Sequence, residues 1–391
     1  MRNMNKWGRW TLVSVCVSYI LPTSSFTVSI FAFFLLCVVC VFQPGYFNDF
    51  RKRMWIFLLI GSIPIIVLHD ILEVKDFIMM LCCISGISFL CYKFDFTPRQ
   101  IILFLFCIIL PIGLFHLVTD GRVNWNPVNG YLNIIGGTAT KHGTAIFGLL
   151  LMMAVITYYF NREKGIKVPF KKRTLKVLFA FSLFLITFSS RSVLLATLVF
   201  LVYLFVNRNR FHPKFSIVLF VICNVSVFFL EYLAGYADVI GRVEWLADLM
   251  RVESFDTRSG VTSGRAWLWG VHVNAWFDSP YMMGGGRAVT DFKVNDWIPW
   301  LGEVANAGSE SPFTGFIACY GWVGIGIIIM FIGFFLYAVL QRNLMASAIM
   351  FCMIYNTTMG VSFVSARDYN SIFCYFLFFT CLRKKYIYKC K

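Results

Sequence analysis

Leu175–Val206 reads LKVLFAFSLFLITFSSRSVLLATLVFLVYLFV: two apolar runs, Leu175–Phe188 and Val193–Val206, on either side of a polar step, Ser189-Ser190-Arg191-Ser192. Fourteen residues of helix rise about 21 Å, less than the hydrocarbon core of about 30 Å. Lipid offers a backbone no hydrogen bonds, so each run is expected to be a helix. The polar step then belongs at or slightly below one face of a membrane. An arginine held there is costly unless it has a partner, by about 2.5–3.5 kcal/mol at the bilayer centre and less near the edge.

The same pattern recurs along the chain. Hydrophobic residues make up 59% of the 391 and charged residues only 14%, which excludes an ordinary soluble domain. About twelve crossings are expected: Arg9–Pro22, Phe26–Phe42, Met54–His69, Phe77–Tyr92, Ile101–Val118, Gly143–Phe160, Thr174–Phe188, Val193–Val206, Lys214–Gly235, Phe313–Leu340, Leu344–Val364 and Ser371–Leu382. The first and last are short. The fold class is therefore an all-α polytopic membrane protein, with residues 1–391 as one membrane domain. Arg2, Lys6 and Arg9 precede an apolar run, but no small-x-small cleavage site follows Pro22-Thr23-Ser24-Ser25. A retained first helix is expected.

With both termini cytoplasmic, Arg51-Lys52-Arg53, Lys171-Lys172-Arg173 and Arg383-Lys384-Lys385 all fall inside, as the positive-inside rule requires. Most acidic residues fall outside. The net charge of +16 then reflects topology and contact with anionic lipid, not nucleic acid. None of the 13 cysteines lies in an expected outer loop, which argues against a disulfide framework. Cys37-x-x-Cys40 and Cys82-Cys83 read as small buried hydrophobes.

Two outer connections are long, Thr119–His142 and Tyr236–Pro312. Residues 236–312 exceed what a connection needs, and such loops are usually functional. Ile240, Val243, Leu246 and Met250 suggest a short amphipathic helix. A second helix is expected to begin at Thr262 or Ser263 and stop near Asp278, before Pro280. Gly284–Gly286 read as a flexible turn. Trp245, Trp267, Trp269, Trp276, Trp297 and Trp300 suit an interface belt and packing, or stacking on sugars.

Arg191 and Arg265 fall on the same expected side. A guanidinium fork matches two phosphate oxygens at once. Arg265 sits in the first turn of the expected helix, where a bound anion would face both arginine and free N–H groups. A snorkelling side chain is the plainer role for Arg191. Arg258 shares the loop, where surface solvation is the plainer role. Glu310 precedes the tenth crossing. It is placed to take a proton from a hydroxyl or simply to suit a helix start. His142 bounds the other outer loop and has the same two kinds of reading. The five histidines show no metal-ligand spacing, and no Gly-x-x-x-x-Gly-Lys loop is present. No metal or cofactor is expected.

These segments resemble the bacterial O-antigen ligase/polymerase family of membrane enzymes, over about Gly137 to Leu340. Thr187–Ala196 resembles its Thr-x-Ser-Arg stretch, with Ser190-Arg191 in register. Ser263-Gly264-Arg265, Leu268-Trp269, Pro280 and Gly284–Gly286 resemble its Ser-Gly-Arg…Leu-Trp…Pro…Gly-x-Gly segment. Glu310, Gly321 and Gly324 resemble the start of its next helix, where ligases carry histidine. An acid there looks more like the Wzy-type polymerases.

The resemblance implies a GT-C-like helical architecture in the bacterial inner membrane. It implies glycosyl transfer at the periplasmic face between undecaprenyl-pyrophosphate-linked oligosaccharides. Arg191 and Arg265 would hold the pyrophosphate, and Glu310 or His142 would act as base. Ser190, Ser263, Gly264, Trp269 and Arg258 would be secondary substrate contacts. Membrane lipids and a chain-length regulator are the implied partners. A ligase acting on lipid A core, or a lipid-linked oligosaccharide flippase, would share many of these features. A flippase, however, tends towards repeated halves and charged midplane residues, and neither is visible here.

Overall fold

The computed structural model describes residues 80, 84, 87–88, 91, 97–111, 114, 125–126, 131–132, 143–162, 170–229, 265–285, 312–359 and 369–383. These residues are overwhelmingly helical. In chain order the helices are α1 (Pro98–Phe104), α2 (Gly143–Arg162), α3 (Lys172–Ser189), α4 (Arg191–Val206), α5 (Pro213–Phe229), α6 (Arg265–Asp278), α7 (Pro312–Leu340), α8 (Leu344–Thr358) and α9 (Tyr369–Arg383). α1 continues into a π-helical turn over Leu105–Ile109. Phe313–Leu340 is long and apolar enough to cross a membrane. Thr144–Phe160, Ser192–Val206, Pro213–Val227, Leu344–Thr358 and Ser371–Leu382 are shorter apolar helices.

Where they are described, the expected spans from Ile101 onward fall on helices, while residues 112–113, 115–118, 230–235 and 360–364 of those spans lie outside the described residues. Of the earlier four, three lie outside the described residues. The fourth is described only at scattered helical positions, among them Met80, Ile84, Ile87 and Cys91. Their spacing puts them on one helix face, and all four are buried.

Local chemistry sets the element boundaries. Thr97 and Gln100 form a reciprocal capping box ahead of α1, with Pro98 at its first position. Proline also opens α5 and α7. Asn207 organises the turn between α4 and α5. Its amide donates to Tyr203 O (3.0 Å), and its Oδ1 accepts from His212 N (3.0 Å) and Ser216 Oγ (3.3 Å).

Among the described residues, a departure from helix lies in the first of the two long connections expected to be outside. Trp125–Asn126 pairs antiparallel with Tyr131–Leu132, in register Trp125↔Leu132 and Asn126↔Tyr131. The sequence between the strands, Pro127-Val128-Asn129-Gly130, is rich in turn-forming residues.

The core is built on α8, α9 and α2. Leu344–Thr357 are buried throughout, as are Ile372–Cys381 of α9 and Ala145–Val155 of α2. A helix apolar on every side must be surrounded by protein or lipid. α9, the short last span, is thus an inner helix of the bundle. Asn343 ties it to α8: its Oδ1 caps Ala346 N (3.2 Å) and its Nδ2 donates to Cys381 O (2.8 Å). Tyr203 Oη donates to Ser347 Oγ (2.9 Å) and joins α4 to α8. Gly148 lets α2 lie close against α3, since a Cβ there would sit 2.9 Å from Ser182 O. Small residues at such contacts are what close helix pairs in lipid require.

The outward faces are apolar too. Phe205 is 77% exposed, Val177 60%, Ile222 59% and Ile329 60%. Exposed apolar side chains of this size on several helices are unusual for a surface facing water and suit one facing lipid or a partner.

Candidate functional site

A single residue separates α3 from α4. Ser190 is extended (φ −155, ψ 124) and both ends α3 and precedes α4. Its N–H donates to Ile186 O (3.2 Å), and its carbonyl accepts from Leu194 N (3.0 Å). Ser190 Oγ lies 3.1 Å from Ser192 Oγ. Ser189 and Ser190 are both buried. Arg191 is therefore the first residue of α4, where the amides of a first turn are open to an anion. Its side chain is outside the described residues.

Arg265 likewise opens α6, and the helix ends at Asp278, ahead of Pro280. This agrees with the helix expected between Thr262 or Ser263 and Asp278. His142, Arg258, Ser263, Gly264 and Glu310 lie outside the described residues, as does the side chain of Arg265. The expected amphipathic helix over Ile240–Met250 and the tryptophans at 245, 297 and 300 lie outside them too.

α6 packs on the start of α7, and the contact runs through a residue the sequence did not single out for this role. His272 is fully buried, and its Nδ1 lies 2.9 Å from Thr314 Oγ1. Gly315 faces the ring, since a Cβ there would come 3.9 Å from His272 Cε1. His272 follows Arg265 by seven residues, two helical turns, so the two share a face of α6. Thr314 follows Glu310 by four residues in the sequence. The helix that begins with Arg265 is thus latched beside the segment that follows Glu310. The spacing of Arg265, Trp269, His272 and Trp276 was the legible signal. The partner, 42 residues away, was not.

The glycine turn is pinned rather than loose. Met282 N donates to Ser279 O (3.0 Å), and Trp276 Nε1 donates to Met282 O (2.8 Å). Gly284 N donates to Ser279 Oγ (3.0 Å), and Gly285 N to Ala318 O (2.9 Å). Tyr281 and Met282 both take left-handed backbone, at φ 53 and 57.

Gly284 (φ +89) and Gly321 (φ +55) meet where this turn crosses α7. A Cβ on Gly284 would strike the Cys319 carbonyl, and one on Gly321 would strike the Met282 carbonyl. Gly321 (ψ −128) also breaks α7. A donor from the turn, Gly285 N, therefore meets a carbonyl of the helix just ahead of its break.

Trp269 is nearly buried and belongs to the hydrophobic core. Trp276 packs edge-on against Trp322, with ring centroids 5.3 Å apart. Comparison with protein-family models, with curated proteins and with solved structures finds no match.

Proposed function

We propose that this protein polymerises lipid-linked sugar repeat units by glycosyl transfer at the outer face of the bacterial inner membrane, with undecaprenyl-pyrophosphate-linked glycan as donor. In this reading Arg191 and Arg265 hold the donor pyrophosphate. They offset the charge that develops as the anomeric carbon–oxygen bond breaks, commonly the largest contribution in such a transfer. Glu310 takes the proton of the attacking hydroxyl, with His142 as the other candidate base. The new glycosidic bond forms as the pyrophosphate leaves with its electron pair, so no nucleotide or metal is required.

The observation that carries this reading is the latch between α6 and α7. His272 and Thr314 hold the helix opened by Arg265 against the segment that follows Glu310. Arg191 opens a second helix from a buried serine step. The apolar outer wall suits a lipid-linked substrate. An acid rather than histidine at position 310 favours chain extension over transfer of the finished glycan to lipid A core.

The test is the length distribution of surface polysaccharide in cells. Arg191→Ala and Arg265→Ala are each expected to abolish long chains, with a drop in transfer rate of about 100-fold or more. Glu310→Gln should do the same. Normal long chains in both arginine variants would overturn the clamp. Purified protein given either lipid-linked repeat unit or core oligosaccharide as acceptor separates polymerase from ligase.

A further inference from the structure

At the end of the bundle opposite Ser190, the C-terminal ends of α2 and α4 and the start of α3 enclose a pocket of about 650 Å³. That volume lies within the range of small-molecule sites, about 300–1,000 Å³. Its composition is graded along the helix axes. Lys172, Lys176 and Arg208 line its mouth, and Leu175, Phe179, Leu201 and Leu204 line its body. Phe179 lies seven residues beyond Lys172, and Leu201 seven before Arg208, so each apolar floor is about 10 Å from its cation. Among the described residues, no acidic side chain lines the pocket.

Two further features favour an anion at the mouth. α3 begins with Lys172-Arg173 after Lys171, with no acid in its first turn and no side chain capping it. Cations at that end oppose the helix dipole, and a bound anion reverses the penalty. Phe205 also lines the pocket and is 77% exposed. The cavity therefore opens sideways onto the same apolar wall as Val202 and Leu198, which are about half exposed.

We propose that this pocket binds an anionic phospholipid, with the headgroup phosphate between Lys172, Lys176 and Arg208 and an acyl chain along Leu175, Phe179 and Leu204. Basic pockets between membrane helices hold acidic headgroups in this way. The inference does not rest on glycosyl transfer, and it concerns the opposite end of the bundle.

The test uses the full-length protein purified in detergent and titrated with phosphatidylglycerol, with phosphatidylcholine of the same chains, and with inorganic phosphate. Bound lipid is read by native mass spectrometry. Phosphatidylglycerol is expected to be retained at least fivefold over phosphatidylcholine. The surface variant K172A/K176A/R208A should bring that ratio to about one while the protein stays folded by circular dichroism. The charge reversal R208E alone should lower the ratio. Equal retention of the two lipids by the unaltered protein would overturn the proposal, as would an unchanged ratio in the triple variant. If millimolar inorganic phosphate displaces phosphatidylglycerol completely, the mouth is a simple anion site and the lipid assignment fails.

Discussion

The two glycines where the turn after α6 crosses α7 show what a single atom decides. Gly284 and Gly321 both hold positive φ, and each would drive a Cβ into a carbonyl of the other segment. Gly284→Ala and Gly321→Ala are each expected to cost about 1–3 kcal/mol from backbone strain, with the clash in addition. A lower unfolding midpoint in detergent, followed by tryptophan fluorescence, would register this. Gly333→Ala makes the comparison, because a Cβ there meets nothing within 4 Å and alanine is the better helix former. It should leave the midpoint unchanged or slightly raised.

This scale was partly legible in the sequence. Thr262, Ser263 and Pro280 bracket α6 and so place Arg265 in its first turn. The bond between His272 and Thr314 was not legible, because nothing local marks a partner so distant. Gly321 gave no warning of a break either, since glycine is common in apolar helices. The bonds that pin Gly284 and Gly285 in the expected flexible turn were not legible either: one acceptor, Ala318 O, lies on α7, and the other, Ser279 Oγ, depends on how the turn folds back on the end of α6.

Among the elements, α8 is fixed at its start by one side chain. Asn343 caps its first turn and bonds the last turn of α9. Asn343→Ala removes a cap worth about 1 kcal/mol and leaves a buried carbonyl without its donor, at about 1–3 kcal/mol more. Asn343→Asp should retain the cap and lose the bond to Cys381 O, so its midpoint is expected to fall between those of the unaltered protein and the alanine variant. Gly148→Leu is expected to push α2 from α3 and destabilise more than either, as measured by the same melting curves.

Helix existence was legible because apolar runs bounded by Pro, Asn and basic clusters have few alternatives wherever water is excluded from the backbone. Position in the bundle was not. α9 reads as a short, marginal crossing, yet it is among the most buried helices. Hydropathy distinguishes apolar from polar but does not separate protein-facing from lipid-facing. The pairing of Trp125–Asn126 with Tyr131–Leu132 was missed because two-residue strands carry no periodicity.

For the whole molecule, the expected topology places the turn after α6 outside and the α4–α5 turn inside. Tyr281 is 92% exposed, and Arg208 is exposed as well. In intact cells, a membrane-impermeant thiol reagent is expected to label Tyr281→Cys and not Arg208→Cys, with the unaltered protein as background. Both should react once the membrane is opened. Labelling of Arg208→Cys in intact cells would invert the arrangement and remove Arg191 and Arg265 from the outer face.

The single-residue step at Ser190 has a mechanical result. α4 is fastened to the innermost helix by Tyr203 and, through the Cys352 thiol, by Ala196 O (3.6 Å). With a single residue between α3 and α4, the backbone of Arg191 is mounted on a helix bonded directly to the buried α8. Under the proposed polymerase reading, a donor held at Arg191 would sit at a fixed post, and a product that lengthens with each cycle would have to slide elsewhere.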